Sequence, residues 1–273
     1  MGLFSSKKDD SKTDEKKLTL PSKDQVQTNI PKPNQTINLQ KNNSITKETK
    51  PLFVIEQPTI PNLPEPKDMR TLDIRYPLIP PYTFARIHWD VKETELVYEI
   101  EEPQLTDEEK KTLDILEEGI KELINLSFIT VSDKQTVLLY LEKNIRVLLT
   151  ELSIELSIDS YLKIMYYVYR DFVGLNELEP LMNDYFIEDI ECNGLNSPIY
   201  VVHRKYRNVR TTLIYKDIHR LASFVEKLAQ KAGRYVSYAE PLLDGSLPDG
   251  SRVNATYTTD VSSKGPTYCI TEG

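Results

Sequence analysis

Apolar positions along this chain change spacing several times, and each change predicts a different element. Residues 1 to about 66 show no sustained period: Lys, Asn, Thr and Ser dominate, and prolines stand at 21, 31, 33, 51, 58, 61, 64 and 66. Such a segment cannot bury enough apolar surface to offset chain entropy, so it is expected to be a disordered tail. The apolar piece PLFVIEQPTIP within it is limited by its prolines to an extended stretch that can dock on something. Order is expected to begin near Arg70. Phe84, Ile87 and Trp89, then Leu96, Tyr98 and Ile100, predict two strands joined by the polar DVKET, a hairpin. Thr106 as N-cap with Glu109 three positions on forms a capping box, and Leu113, Leu116, Ile120 and Leu123 then recur at helical spacing. Further helices are predicted over 133–156 and 158–172, the second carrying Tyr161, Met165, Val168 and Tyr169 on neighbouring turns. A tyrosine-rich face of that kind reads as packed core or interface.

After Gly174 the period shortens to that of strands: IEDIECNG, PIYVVHRKY and VRTTLIY, broken at Asn193-Gly194 and Arg207-Asn208. An amphipathic helix starts from Asp217 as N-cap, with Ile218, Leu221, Val225 and Leu228 in register and Gly233 as its stop. RVNATYTT and PTYCIT, joined by DVSSKG, close the chain. The fold class is therefore α+β: a disordered tail over 1–66, a hairpin-plus-helices subdomain over 67–173, and a β-β-β-α-β-β mixed-sheet domain over 174–273. Between the last helix and the last strands lies EPLLDGSLPDGSRVN, read as turn chemistry. Gly245 and Gly250 are free to take φ > 0, and Pro248 presets a turn. Arg252 then enters a strand at a rim, a position that suits a phosphate contact and equally an ordinary solvated arginine.

Composition narrows the function. The 273 residues are 39% hydrophobic with a formal net charge of −8, so no global field draws the chain to nucleic acid, and any anion site must be local. The two cysteines, Cys192 and Cys269, belong to no motif, which fits a reducing, cytoplasmic setting. No run approaches the roughly 18 apolar residues of a membrane span, and the N-terminus lacks the apolar centre of a secretion signal. MGLFSS satisfies the short N-myristoylation pattern but reads as the start of the tail.

No phosphate-binding loop G-x-x-x-x-G-K-[ST], no G-x-G-x-x-G and no G-x-S-x-G is present, and His88, His203 and His219 are too scattered to suggest a ligand set. No catalytic residue and no metal site is assigned. His203, in strand alternation with Val201, reads as structural. Asp184, Glu188, Asp189 and Glu191 are hard oxygen donors, but their spacing does not fit a calcium loop, and the adjacent Glu188 and Asp189 point to opposite strand faces. HRKYRNVR gathers Arg204, Lys205, Arg207 and Arg210 around a predicted two-residue turn. Arg204, Lys205 and Arg207 are candidates for a phosphate or a partner's carboxylates; solvated edge charges are the alternative.

From Gly174 onward, L-x-PLM-x-D-x-x-IEDI-x-x-x-G, PIYVVHRKY and LPDGSRVNA stand in an order that resembles the amino-terminal domain of type II/IV secretion ATPases. The likeness is greatest to the archaeal branch that drives type IV pili and the archaellum. It covers about 100 residues, and RYPLIPPY with the helical region before them is also similar. The resemblance implies a hexameric motor in which this domain packs over a RecA-like nucleotide-binding domain. ATP and Mg2+ are then the cofactors of the complete enzyme, and the partners are that ATPase domain, further subunits of a homo-hexamer and a membrane platform protein. No nucleic acid is implied. The location implied is cytoplasmic, peripheral at the inner face of the membrane through the platform. The arginine that family members direct at ATP phosphates falls on Arg252. A second family arginine falls on Thr271, a departure, and the phosphate-binding loop and acidic boxes of the family would lie beyond residue 273. By itself the chain is expected not to hydrolyse ATP, because the groups that hold magnesium and orient water are missing. The alternative is a non-catalytic regulator or adaptor that docks on a complete ATPase or its platform by the tyrosine-rich helices.

Overall fold

The computed structural model describes residues 52–123, 134–257 and 264–273. These all fall within one compact unit, Glu48–Gly273. Residues 1–51 of the tail expected over 1–66 and the Met-Gly pattern lie outside the described residues, as do the start of the second predicted helix and most of the DVSSKG connection.

Among the described residues, nine strands form one mixed sheet in the order β1-β2-β3-β6-β5-β4-β9-β8-β7. They are β1 (Asp73–Ile79), β2 (Thr83–Asp90), β3 (Glu95–Glu101), β4 (Ile187–Cys192), β5 (Pro198–His203), β6 (Arg207–Ile214), β7 (Leu242–Ser246), β8 (Arg252–Thr256) and β9 (Thr267–Thr271). The predicted hairpin is β2–β3, with Ile87 opposite Tyr98 and Trp89 opposite Leu96. It continues into the C-terminal strands through the parallel pair β3–β6, where Tyr98 lies beside Thr211. The texture change at Gly174 therefore falls between strands of a single sheet. Strand alternation and register put Tyr98, Val201, Ile190, Ile270 and Val253 on one face, all buried.

The helices are α1 (Asp107–Leu123), α2 (Lys134–Glu151), α3 (Ile158–Val168), the short α4 (Glu179–Met182) and α5 (Ile218–Lys231). The capping box forms as predicted: Thr106 N donates to Glu109 Oε2 at 2.7 Å, and Glu109 N donates to Thr106 Oγ1 at 3.2 Å. Asp217 caps α5 by accepting from the His219 amide at 2.9 Å, and Gly233 takes φ 63 just beyond the helix end.

A π turn, Tyr169–Val173, ends α3. Lys231 Nζ donates to the Val173 carbonyl at 2.7 Å, and Lys227 donates to Asp171 O at 2.6 Å, so α5 satisfies carbonyls that this helix end leaves open. Gly174 follows. A Cβ there would lie 2.6 Å from the Glu179 side chain. That carboxylate is buried and accepts from the Leu175 amide at 2.9 Å and the Tyr169 hydroxyl at 3.1 Å, so it cannot simply move aside. Gly174→Ala is expected to destabilise the fold by about 2 kcal/mol through overpacking. Urea unfolding with an unchanged slope and a lower midpoint would register it; an unshifted midpoint would mean that Glu179 yields freely.

Several expectations are corrected. Strands β1 and β7 were not predicted, and both are sheet edges. Pro77 inside β1 argues against a central strand but is tolerated at an edge, where one side of the backbone needs no ladder partner. Gly245, read as a turn residue, lies inside β7 opposite Val253, where its missing side chain lets Ala232 approach. The turn is the later LPDG, with Gly250 at φ 97. The unit after Gly174 is thus β-β-β-α-β-β-β. The break placed at Arg207-Asn208 falls earlier, over residues 204–206, with Arg207 opening β6 at φ 60. Residues 52–64, assigned to the tail, are extended and docked, with Phe53 and Leu63 buried.

Candidate functional site

The four candidate residues, Arg204, Lys205, Arg207 and Arg252, lie at one end of the sheet. There β5 ends, β4 begins, β9 ends and β8 begins, on four neighbouring strands. The LPDG turn delivers Arg252. Gly250 N donates to Leu247 O at 3.0 Å, Leu247 N donates to Ser251 O at 2.7 Å, and Asp249 accepts from the Ser251 amide at 3.0 Å. Arg252 is the first residue of β8, paired with Ser246 on one side and Thr271 on the other. Its guanidinium donates to Asp244 with Nε at 3.2 Å and Nη2 at 3.1 Å, an ion pair in which both side chains are about two-thirds exposed, at 65% and 64%. Exposed pairs of this kind are weak, so the fork is held in place yet free to be redirected. The hydrogen bonds to Asp244 raise the guanidinium's pKa further, and it stays charged at any relevant pH.

The other three candidates share this end but not one site. Arg204 pairs with Glu272, and its guanidinium lies 4.7 Å over the Tyr185 ring. Lys205 turns away and donates to the Leu63 carbonyl at 2.6 Å. Arg207 is exposed and makes no ion pair among the described residues. Arg210 faces Glu95 at 3.3 Å. Three strand spacings separate the strand carrying Arg252 from the one that leads into Arg204, roughly 14 Å. Thr271, where the resemblance places a second arginine, sits directly beside Arg252 in the register.

Beneath this end is a buried polar cluster, of which sequence reasoning singled out only Asp184 and His203. Asp184 Oδ2 accepts from the hydroxyls of Tyr76 and Tyr98, each at 2.6 Å, and Oδ1 accepts from the Phe186 amide at 2.9 Å. Burial outweighs these donors and pushes the Asp184 carboxyl above its usual range. His203 stacks between Phe186 and Tyr206, with ring centroids 5.4 and 4.8 Å away. Its Nδ1 accepts from the Lys205 and Tyr206 amides at 3.2 and 3.3 Å, which leaves the proton on Nε2 facing the Tyr76 hydroxyl at 3.4 Å. Burial brings its pKa down to about 4, so the ring is neutral. Tyr76 and Tyr98 were not singled out because, in sequence, a tyrosine aimed at a buried carboxylate looks like any strand tyrosine.

Asp184 is thus engaged by tyrosines. Among the described residues, no group of three or more His, Cys, Asp or Glu is arranged to hold a metal ion. The tyrosine-rich helix face is core: Tyr161, Tyr166 and Tyr169 are buried, and their hydroxyls donate to Glu142, Glu102 and Glu179. No described helix is long and apolar enough to cross a membrane.

The architecture defines an α+β protein with one mixed sheet, helices packed against it and an arginine-bearing sheet end. The chain belongs to the family of the uncharacterized protein MJ1288 of Methanocaldococcus jannaschii, with which it is 35% identical over 176 residues, 64% of this chain and 69% of that protein. Two longer proteins of the same organism are also similar. Uncharacterized protein MJ0900 is 43% identical over 108 residues, and uncharacterized protein MJ0781 is 39% identical over 114. The match spans 40% and 41% of this chain but only 19% and 15% of those two proteins. No family model matches the chain. Among solved structures, the VirB11 ATPase from the Brucella suis type IV secretion system, in complex with sulphate, is 18% identical with a TM-score of 0.32, covering 36% of this chain and 30% of that one.

Proposed function

We propose that this chain is the amino-terminal, nucleotide-facing region of a hexameric secretion ATPase of the type II/IV class that powers a pilus-like or archaellum filament or protein export. One observation carries the reading. The first two motif segments form the adjacent strands β4 and β5, the third, much later in the chain, opens β8 at the same end of the sheet, and the LPDG turn sets Arg252 there as an exposed, weakly held fork. A planar guanidinium so placed is suited to bridging two phosphate oxygens of ATP held by a following RecA-like domain. The similar stretch in two much longer proteins supports a region that works as part of a larger subunit. ATP and Mg2+ belong to that complete subunit. Its partners in this reading are the ATPase domain, the other subunits of the ring and a membrane platform protein, which would keep it peripheral at the inner face of the membrane.

The test is ATP hydrolysis by a subunit that carries the RecA-like domain. Arg252→Ala is expected to lower kcat about 10- to 100-fold with the hexamer intact, Arg252→Lys to recover part of it, and Arg207→Ala to change it less than about twofold. Arg207 is the better control for lost charge because Arg204 is structurally engaged with Glu272 and Tyr185. Unchanged turnover in an intact Arg252→Ala hexamer would sink the reading.

A further inference from the structure

Residues 52–64 cross the body of the protein without joining its sheet. They are held at two anchors. Phe53 stacks on Tyr82 with ring centroids 5.0 Å apart and lies 6.3 Å from Tyr169. Leu63 is buried ten positions on, where Lys205 Nζ donates to its carbonyl at 2.6 Å and Tyr206 Oη donates to the Pro64 carbonyl at 2.8 Å. Between the anchors, Glu56 N donates to Pro80 O at 3.0 Å, and at the start Leu52 N donates to Glu142 Oε1 at 3.0 Å. Val54 and Ile60 are left exposed.

This is how a peptide sits in a recognition groove. Prolines 58, 61 and 64 preform an extended backbone, an aromatic anchor fills a ring-lined site, and side-chain donors of the body read the peptide's carbonyls. The residues that hold the segment come from later in the chain, Pro80 and Tyr82 from the turn after β1 and Glu142, Tyr169, Lys205 and Tyr206 from far beyond it. Residues 65–71, exposed apart from a half-buried Pro66, lead from the segment to β1.

We propose that this groove is a peptide-recognition site that takes residues 52–64 of a second copy of this chain, the chain's own segment being its resident occupant. The occupant follows from the fit, because the sequence seated in the groove is present in every copy. The link runs from Pro64 to Leu72, which is buried and accepts from the Trp89 amide, and with its short Met69–Thr71 turn opened it can carry the segment about 26 Å towards a neighbour, at about 3.3 Å per residue. Exchange reproduces each contact and leaves the sheet untouched. In a dilute monomer the resident segment wins because its effective concentration is in the mM range, whereas copies held side by side remove that advantage.

The experiment uses a fluorescein-labelled synthetic peptide of residues 50–66 and two versions of the chain. Phe53→Ala with Leu63→Ala weakens the resident segment and opens the groove. The peptide is expected to bind this variant at least about 10-fold tighter than it binds the unaltered chain, and further Lys205→Met should weaken that binding several-fold. Leu63→Ala alone serves if the double variant does not fold. A second arm mixes the double variant with a chain whose groove is spoiled by Tyr82→Ala and Lys205→Met; the two should pair 1:1 in sedimentation, each lacking what the other keeps. Equal peptide binding to both chains, or none to a folded variant at 1 mM, overturns the groove. Peptide binding without pairing of the two chains overturns the second copy as occupant.

Discussion

Asp184→Ala is expected to destabilise the protein by about 4 kcal/mol, the largest effect of any single polar replacement considered. The side chain is buried and collects three donors, the Tyr76 and Tyr98 hydroxyls at 2.6 Å and the Phe186 amide at 2.9 Å. Alanine leaves all three buried donors without an acceptor, and each abandoned donor carries a desolvation cost of about 1–3 kcal/mol that partial relaxation only reduces. Asp184→Asn keeps one carbonyl acceptor and is expected to lose about half as much. Tyr76→Phe and Tyr98→Phe each remove one donor together with its demand, so each should cost less than about 1.5 kcal/mol. The measurement is equilibrium urea unfolding of the four variants. An Asp184→Ala loss below 1 kcal/mol would show that the cluster contributes little to the fold. The cluster joins β1, β3 and the start of β4, so its loss should also loosen the sheet end that carries Arg204 and Glu272.

That cluster marks where sequence reading stops. The capping box at Thr106 and Glu109, the Asp217 cap and the β2–β3 hairpin were legible because each is a local contract between residues a few positions apart. Strand β1 was hidden by Pro77, and β7 by an Asp-Gly pair that elsewhere makes turns; in both cases an edge position in the finished sheet decided the matter. The docking of Phe53 and Leu63 was equally out of reach, since Tyr82, Tyr169 and Lys205 come to the segment from far along the chain. The basic run at 204–210 shows the converse. It looks like one patch in sequence, but alternation and a three-residue turn send Arg204, Lys205, Arg207 and Arg210 to different surroundings. Arg252 was legible as a residue leaving a turn at a strand entry. Its partner was not legible, because only the strand register of β7 brings Asp244 to the guanidinium, while the nearer Asp249 is used by the turn itself.

Acid should unfold this protein partly through His203, with a sign that can be worked out. Burial among Phe186, Tyr206 and Tyr76, helped by the nearby Lys205 charge, brings the folded-state pKa down to about 4 from an ordinary 6.5. Above pH 6.5 the ring is neutral in both states and contributes no pH dependence. Between pH 6.5 and about 4 the unfolded chain binds a proton that the folded chain refuses, so stability falls as pH falls through that window. At 1.36 kcal/mol per pKa unit the whole window amounts to about 3 kcal/mol. His203→Gln removes the titrating group while keeping a polar side chain in reach of the Lys205 and Tyr206 amides. It is expected to lower stability at pH 7 but to flatten the fall between pH 6.5 and 4 by most of that amount, the carboxylates that titrate in parallel cancelling in the comparison. Urea midpoints at half-unit pH steps for the two proteins give the two slopes. Parallel slopes across the window would mean that His203 takes up its proton inside the folded protein, and that the stacked ring opens to water before the sheet does.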